Sequence, residues 1–323
     1  MNMFDDLIAQ RGLSLDRLWV FDKIASADCS LIRAADKDIG RAAQFARQKS
    51  ELEKFFGASL TRKVGRDLRL TREGEALLGI VREAFLRLVD FRAQCSRLPK
   101  HFSIGAGDSL LHWLVIPRLA ELQTSLKDYS FSLHNLQNAE IINGLLDLSL
   151  DFGLVRTTEA VEPLMRVVLG AKTYALYAPR ALLPHVENAK ATGKELLGSL
   201  PLAAQSKQTH FEREFEKATT GAGIRLSVSL YCETVPELVR ALKTERYAAV
   251  LHAFASQELD PSRFQQIPLP FLNKLSPQIA LVWHPRLLKI RGEAAEKLKG
   301  LLSEALRFTE SGAAASPSKE HSK

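Results

Sequence analysis

The chain has 323 residues, 46% of them hydrophobic and 25% charged, which is ample for two domains with buried cores. Its formal net charge of +7 favours an anionic partner without demanding one. The three cysteines, Cys29, Cys95 and Cys232, are scattered with no CxxC spacing, and the eight histidines show no ligand spacing, so neither a disulfide framework nor a metal or cofactor site is expected.

From the N-terminus, Met1 to Arg11 carries Asp5 and Asp6 and lacks the apolar core of a signal peptide. No apolar run approaches the roughly 18 residues of a membrane span. The expectation is a cytoplasmic protein with no membrane partner.

Leu15, Leu18, Phe21 and Ala25 recur at helical spacing and predict a first helix over about Leu15 to Ser26. Ser30 can cap a short second helix containing Ala34 and Ala35. Gly40 reads as a break, and a third helix is expected from about Arg41 to Phe56, ended by Gly57. Its apolar side is Phe45, Leu52 and Phe55 or Phe56, and its other side presents Arg41, Gln44, Arg47, Gln48 and Lys49. Between Ile39 and Arg72 there are nine cations against three acids, an excess of six. A solvated helix face would carry such charge too. Three short helices ending in one rich in cations and amides instead match a helix-turn-helix whose third helix enters the major groove.

Leu60 to Leu70 then reads as two short extended runs around a basic turn at Gly65, a wing whose tip can touch phosphates. Thr71 can cap a long helix through its bond to amides near Gly74. Leu77, Leu78, Val81, Phe85, Leu88 and Val89 form a broad stripe along it. With no core in this segment to receive them, they call for a helix from a second subunit. Pro99 ends the helix.

Beyond Phe102 the pattern changes to short apolar strands alternating with helices. Strands are expected at Phe102–Ala106, Tyr129–His134, Leu150–Val155, Thr173–Ala178, Leu226–Tyr231, Tyr247–Leu251, Gln265–Leu269 and Gln278–Trp283. Helices are expected at Ser109–Gln123, Ala139–Asp147, Thr209–Thr219, Val235–Lys243 and Leu287–Phe308. The alternation implies a largely parallel sheet system, with crossings between subdomains near Leu164–Lys172 and Pro268–Leu275. Ser311 to Lys323 is small and polar and is expected to be disordered.

Ser30, Ala34-Ala35, Arg47-Gln48, Leu52-Glu53, Phe56-Gly57, Leu60-Thr61-Arg62-Lys63 and Leu70-Thr71-Arg72-Glu73-Gly74 stand in one order, ungapped from Ala34 to Gly74. In this the chain resembles the LysR-type transcriptional regulators. Ile104 to Leu122 resembles the first strand and helix of that family's effector domain, and Leu145 to Arg156 its D-G-x-L-D-x-x-L-V signature, so the likeness runs over about residues 15 to 305.

The resemblance implies an α+β and α/β architecture. A winged helix-turn-helix (1–70) and a linker, or dimerisation, helix (71–98) would precede an effector-binding domain (99–310). That domain would hold two Rossmann-like subdomains, about 101–168 with 271–308 and about 169–270, of the type 2 periplasmic-binding-protein kind. The implied partners are double-stranded DNA, a small-molecule effector and further copies of the chain, as a homodimer or homotetramer. The sequence departs from the family where Arg41, Ala42, Ala46, Lys49 and Asp38 stand, and near Arg246, Ala248 and His252. The changes in the third helix imply either altered specificity or weakened DNA binding.

Arginine bonds guanine, and glutamine adenine, in bidentate fashion, so Arg41, Gln44, Arg47 and Gln48 are candidates for base or phosphate contact. Ser30, Arg62, Lys63 and Arg66 are phosphate candidates. In open α/β sheets ligands sit beyond the carboxyl ends of strands, which singles out Asp108 and Ser109, Asn135 and Leu136, and Arg156. Ser109 also reads as a plain N-cap and Arg156 as a surface ion pair. Thr234 with Glu237 forms a capping box and can still face the cleft. Arg156 and the helix starts point to an anionic effector. Two rivals stand beside this reading. One is a degenerate regulator that binds DNA without sequence preference. The other is an esterase built on Gly107-Asp108-Ser109-Leu110, which would need an Asp-x-x-His that the chain lacks.

Overall fold

The computed structural model describes residues 12–65, 67–183, 192–206 and 210–309. Arg66, the segment 311–323 and Thr209 lie outside the described residues. The chain divides into two compact units, one built on the residues up to Leu98 and one from Pro99 onward.

In the N-terminal unit, short polar residues start each helix by accepting bonds from otherwise orphan amides. The Ser14 hydroxyl accepts from the Arg17 amide at 3.2 Å and begins α1 (Leu15–Ser26). Ser30 likewise caps α2 (Leu31–Ala34). The third helix, α3 (Ile39–Phe56), starts two residues earlier than expected. Asp38 caps it, accepting from the Arg41 amide at 3.0 Å, so Gly40 lies inside the first turn and breaks nothing. Gly57, at φ 64°, closes the helix in the left-handed region open to glycine.

The stripe expected on α1 is also corrected. Leu15 is exposed, and Val20, Phe21 and Ile24 are the buried residues. The reason is that α1 is covered on two sides. Val20 and Ile24 pack with Ala34, Ala35, Ala42 and Phe45, while Phe21 packs with Leu52, Leu60 and Leu78.

Strands β1 (Thr61–Val64) and β2 (Asp67–Leu70) pair antiparallel as the wing. Thr71 then caps α4 (Arg72–Ser96), accepting from the Gly74 amide at 3.0 Å and donating to the Ser59 carbonyl at 2.6 Å. Gly74 has a packing reason: a Cβ there would lie 2.1 Å from the Leu60 carbonyl oxygen. Gly74→Ala is therefore expected to cost about 1–3 kcal/mol by forcing the helix off the wing. Urea melts of the variant check this, and an unchanged midpoint would refute it.

The apolar stripe of α4 is not wholly unpartnered, as the sequence suggests. Leu78 and Val81 are buried, Leu78 in the core with Phe21, Leu52 and Leu60. The exposed apolar positions are Ile80, Leu88, Val89 and Phe91, and Ile80, Ala84, Leu88, Phe91 and Cys95 recur along one face of the helix.

The C-terminal unit holds a five-stranded sheet in the order β4-β3-β5-β12-β6. Strands β3 (Lys100–Ala106), β4 (Tyr129–Asn135) and β5 (Phe152–Arg156) run parallel. Strand β12 (Gln278–Trp283) is antiparallel to both β5 and β6 (Met165–Ala171). A second set has β7 (Tyr174–Pro179) between β10 (Ala249–His252) and β11 (Phe264–Pro268), both antiparallel to it. Strands β8 (Leu202–Gln205) and β9 (Val228–Cys232) form a parallel pair, with an isolated bridge from Leu202 to Ala248, the residue before β10.

The sheets are thus mixed rather than largely parallel. The stretch expected as a first crossing is itself strand β6, after which Lys172 and Thr173 lead into the second set. Pro270–Leu275 forms a 3₁₀ turn on the way back.

Helix α5 (Asp108–Leu110) continues through a π-type turn (Leu111–Val115) into α6 (Ile116–Glu121) as one helical run. The remaining helices are α7 (Asn138–Leu146), α8 (Gly193–Ser199), α9 (His210–Gly221), α10 (Val235–Leu242), α11 (Pro285–Arg291) and α12 (Glu293–Ala305). Gly292 splits what the sequence suggests is one final helix. Strand β8 and helix α8 carry no signal that the periodicity reading picked up.

The motif from Leu145 to Arg156 has a structural logic. Gly105 and Gly153 face each other in the β3–β5 register, where a Cβ would meet Ile141, Leu145 or Leu150 at 2.3–3.1 Å, so α7 sits close on the sheet. Asp151 is buried and accepts from the Ser103 amide at 2.8 Å and hydroxyl at 2.9 Å, pinning β5 to β3.

Candidate functional site

Two surfaces gather the candidate residues, one in each unit. On α3, Arg41 and Gln44 are exposed on the first turns. Arg41 pairs with Asp36 at 3.5 Å and lies over the Phe45 ring at 5.7 Å. Arg47 is highly exposed, with Nε donating to Glu51 at 3.2 Å. These are surface pairs that a stronger anion can replace at small cost. Gln48 differs. It is half-buried, and its Oε1 has no partner among the described residues, so it is set back from the exposed row. Ser30 spends its hydroxyl on the Arg33 amide at 3.4 Å as the α2 cap.

Lys49 is not part of the exposed face. Its Nζ donates to Glu53 at 3.1 Å and to the Thr61 hydroxyl at 2.7 Å, and Glu53 accepts from the Leu60 amide at 2.9 Å. This polar knot fixes the wing against α3, so a cation can stand where the family pattern has an apolar residue.

On the wing, Arg62 and Lys63 are exposed. The register places Arg62 directly opposite Arg69, a residue the sequence reading passed over. Like charges directly opposite on an antiparallel pair are destabilising, and an anion between them removes the penalty. Arg66 lies outside the described residues. Alternation along β2 was the available signal for Arg69.

In the C-terminal unit the ends of β3, β4 and β5 share one sheet edge, as expected for parallel strands. Asp108 and Ser109 come together with Lys172, which sequence reasoning missed. Lys172 Nζ donates to the Ser109 hydroxyl at 2.9 Å. Ser109 is buried, and Gly107 rather than Ser109 occupies the cap position. Asp108 Oδ1 accepts from the Ser109 amide at 2.6 Å, and Oδ2 accepts from the Val235 amide, the first of α10, at 3.0 Å.

Burial pushes the Lys172 ammonium down to about 8; the Asp108 charge opposes this and Arg156 adds to it. Around Lys172 stands an aromatic wall. Tyr174 lies under the ammonium at 5.9 Å and stacks on Phe211 at 4.1 Å, and burial raises its hydroxyl. His252 is fully buried, in edge contact with Trp113 at 5.4 Å, and burial with the nearby Lys172 charge holds its ring well below the usual range. Nearby, Glu258 accepts from Trp113 Nε1 at 2.8 Å, His112 Nε2 at 3.1 Å and Lys243 Nζ at 2.7 Å, contacts that lower its carboxyl.

The other expected residues are placed apart from this cluster. Arg156 pairs with Glu159 at 2.6 Å, reaching Lys172 only through its field. Asn135 is exposed, and Leu136 packs on the α7 core. Thr234 forms the capping box with Glu237 that its spacing predicts.

Glu212 lies on α9, next to Phe211. Burial raises its carboxyl to about 7, against a bond from the Gln205 amide at 3.1 Å. A folded pKa above the ordinary 4.5 means that the folded state binds the extra proton. Its stabilising effect is full below about pH 4.5 and is lost as pH rises to about 7. Glu212→Gln is expected to flatten stability across that window, as read by urea melts at several pH values. A slope unchanged in the variant would remove Glu212 as the cause.

The LysR substrate binding domain family matches residues 97–307. The chain is 30% identical over 184 residues to the HTH-type transcriptional activator AmpR of Pseudomonas aeruginosa. That alignment spans 54% of this chain and 61% of the relative, so under two thirds of its length. In fold the chain is similar to a full-length OxyR variant from Pseudomonas aeruginosa, with a TM-score of 0.60 at 14% identity over 93% of this chain and 96% of that one. It is also similar to full-length CbnR complexed with its target DNA, with a TM-score of 0.52 at 18% identity over 88% and 99% of the two chains. Among the described residues no helix is long and apolar enough to cross a membrane. With the family match covering well over half of its residues, the chain belongs to the LysR family of transcriptional regulators.

Proposed function

We infer that this protein is a transcriptional regulator of LysR type that reads double-stranded DNA through α3 and the wing and is modulated by a small molecule in its C-terminal unit. The observation that carries the reading is the joint placement of exposed Arg41, Gln44 and Arg47 on one helix and of Arg62, Lys63 and Arg69 on the adjoining wing. That is a major-groove helix with phosphate anchors beside it. The similarity to CbnR, a protein solved with its target DNA, supports it. The apolar face of α4, with Ile80, Leu88 and Phe91 in water, supports assembly as a homodimer or homotetramer. The domain division at 70/71 and 98/99, with two subdomains in 99–310, is part of this reading, as is action in the cytoplasm.

In the C-terminal unit the effector candidates are Asp108 and Ser109 with Lys172 beside them. Asn135, Leu136, Arg156 and Thr234 rank below them: Asn135 is exposed at the end of β4, Leu136 packs on the α7 core, Arg156 pairs with Glu159 and Thr234 caps α10.

An unbiased DNA-selection assay with the purified full chain, run at two salt concentrations, tests the reading. Enrichment of an inverted repeat with half-sites about one helical turn apart, or a multiple of that, is the expected result. Binding that is steeply salt-dependent but without sequence preference would instead favour a regulator that holds DNA only by its phosphates. Ala42 speaks for that second reading: it is buried in the unit's core and offers no contact on the first turn of α3.

A further inference from the structure

The C-terminal unit contains an anion slot in which the anion is part of the chain. Two helical runs begin at it: Asp108 to Glu121, through its π-type turn, and α10. Helix starts present free N–H groups and a positive field and therefore collect anions. A half-buried lysine, Lys172, stands beside them and is held by the Ser109 hydroxyl rather than by a carboxylate. His252 lies close enough to feel the Lys172 charge, with its ring against Trp113 and Tyr174. Its Nδ1 accepts from the Ala255 amide at 3.3 Å, so the proton of the neutral ring sits on Nε2. That N–H is buried in a residue only 2% exposed and has no hydrogen-bond partner among the described residues.

The carboxylate that bridges the two helix starts is that of Asp108, beside the capping box of Thr234 and Glu237 at the start of α10. Its two oxygens are divided between the two helix starts, at 2.6 Å to the Ser109 amide and 3.0 Å to the Val235 amide. Ser109 and Val235 lie 126 residues apart in sequence, so this one side chain ties the helical run that follows β3 to the helix packed on β7, β8 and β10.

We propose that Asp108 is a built-in ligand: its carboxylate occupies the place of a small anionic effector between the starts of α5 and α10, beside Lys172, and holds the C-terminal unit closed without one. The consequence overturns the expectation of an anionic effector at this slot. A small carboxylate meets Asp108 there and is repelled, so an effector that acts at the slot is neutral or cationic. The inference rests on the reading of the C-terminal unit as the sensor only for its biological meaning, because the test reads the protein itself.

The test uses the full chain, its Asp108→Ala and Asp108→Ser variants, and sodium acetate as the probe, with sodium chloride at equal ionic strength as control. Removing the side chain leaves a cavity of carboxylate size facing Lys172 and the Val235 amide. Acetate is expected to raise the unfolding midpoint of both variants saturably, with half-saturation at a concentration about tenfold or more below any response of the parent. The serine variant retains a short polar side chain at the helix start and covers the case in which the alanine variant does not fold. If neither folds alone, recovery of folded protein on refolding in acetate supports the proposal, and no recovery overturns it. An equal response of parent and variants to acetate, or none in a folded variant, also overturns it. Sequence-selective DNA binding is measured separately, so its failure would count against the regulator reading and not against the built-in ligand.

Discussion

Arg82→Ala is expected to destabilise the N-terminal unit by about 3–5 kcal/mol, the cost of breaking a buried ion pair from one side. Arg82 is 6% exposed on α4, and its Nε donates to Asp22 Oδ1 at 2.6 Å while a second nitrogen donates to the Ser26 hydroxyl at 3.0 Å. These two partners lie on α1, and the third nitrogen pairs with Asp147 at 2.7 Å, in a segment that clusters with the same unit. Truncation leaves the carboxylates of Asp22 and Asp147 short of their counterion. If desolvation of the orphaned Asp22 carboxylate is the main cost, the double variant Arg82→Met with Asp22→Leu recovers part of the loss, because a packed apolar pair of similar volume often matches a buried ion pair, while the share owed to Asp147 stays lost. Chemical denaturation of the three variants decides it. An Arg82→Ala loss below about 1 kcal/mol would show that the pair behaves like a surface salt bridge.

The second large effect concerns the wing. Arg62→Ala with Arg69→Ala is expected to weaken DNA binding roughly 10²-fold near 0.1 M salt and to make the log–log salt slope shallower by about 1.8, two phosphate contacts' worth of released counterions. The loss is expected to be even across sequences, since a phosphate contact carries no base information. The same double variant is expected to be slightly more stable without DNA, by a few tenths of a kcal/mol, because two guanidinium groups opposite each other in the register repel. The opposite signs of the two effects separate an anion-binding role from a structural one. If affinity were unchanged and stability fell, the arginines would be serving the fold.

Much of the local structure was legible from residue type and spacing, because capping and turn chemistry act over three or four residues. Thr71 bonding Gly74, the Thr234–Glu237 box, Gly57 in the left-handed region and Gly65 in the wing turn all stand where short-range rules put them. Asp38 obeys the same rule, and Gly40, tolerated inside the first turn, is what makes the sequence suggest a start two residues late. The ordered motifs from Ala34 to Gly74 also sufficed for the family, since each maps onto a local junction; Gly74 is there because a Leu60 carbonyl leaves no room for a Cβ.

What only the tertiary structure decided are the choices a periodic pattern leaves open. The apolar residues of α4 announce a stripe but not its neighbour. Leu78 was claimed by the unit's own core, and the exposed row was displaced to Ile80, Leu88 and Phe91. Strand β6 looked like a connection because an edge strand needs only one paired side. The polar groups that define the candidate sites meet across long separations: Arg82 with Asp22 over 60 residues, Lys172 with Ser109 over 63, and Asp108 with Val235 over 127. Sequence by itself determined the caps, the wing, the α/β alternation and the family, all products of neighbouring residues. The folded chain decided which charges are spent and which remain available, because that depends on partners that chain proximity does not specify.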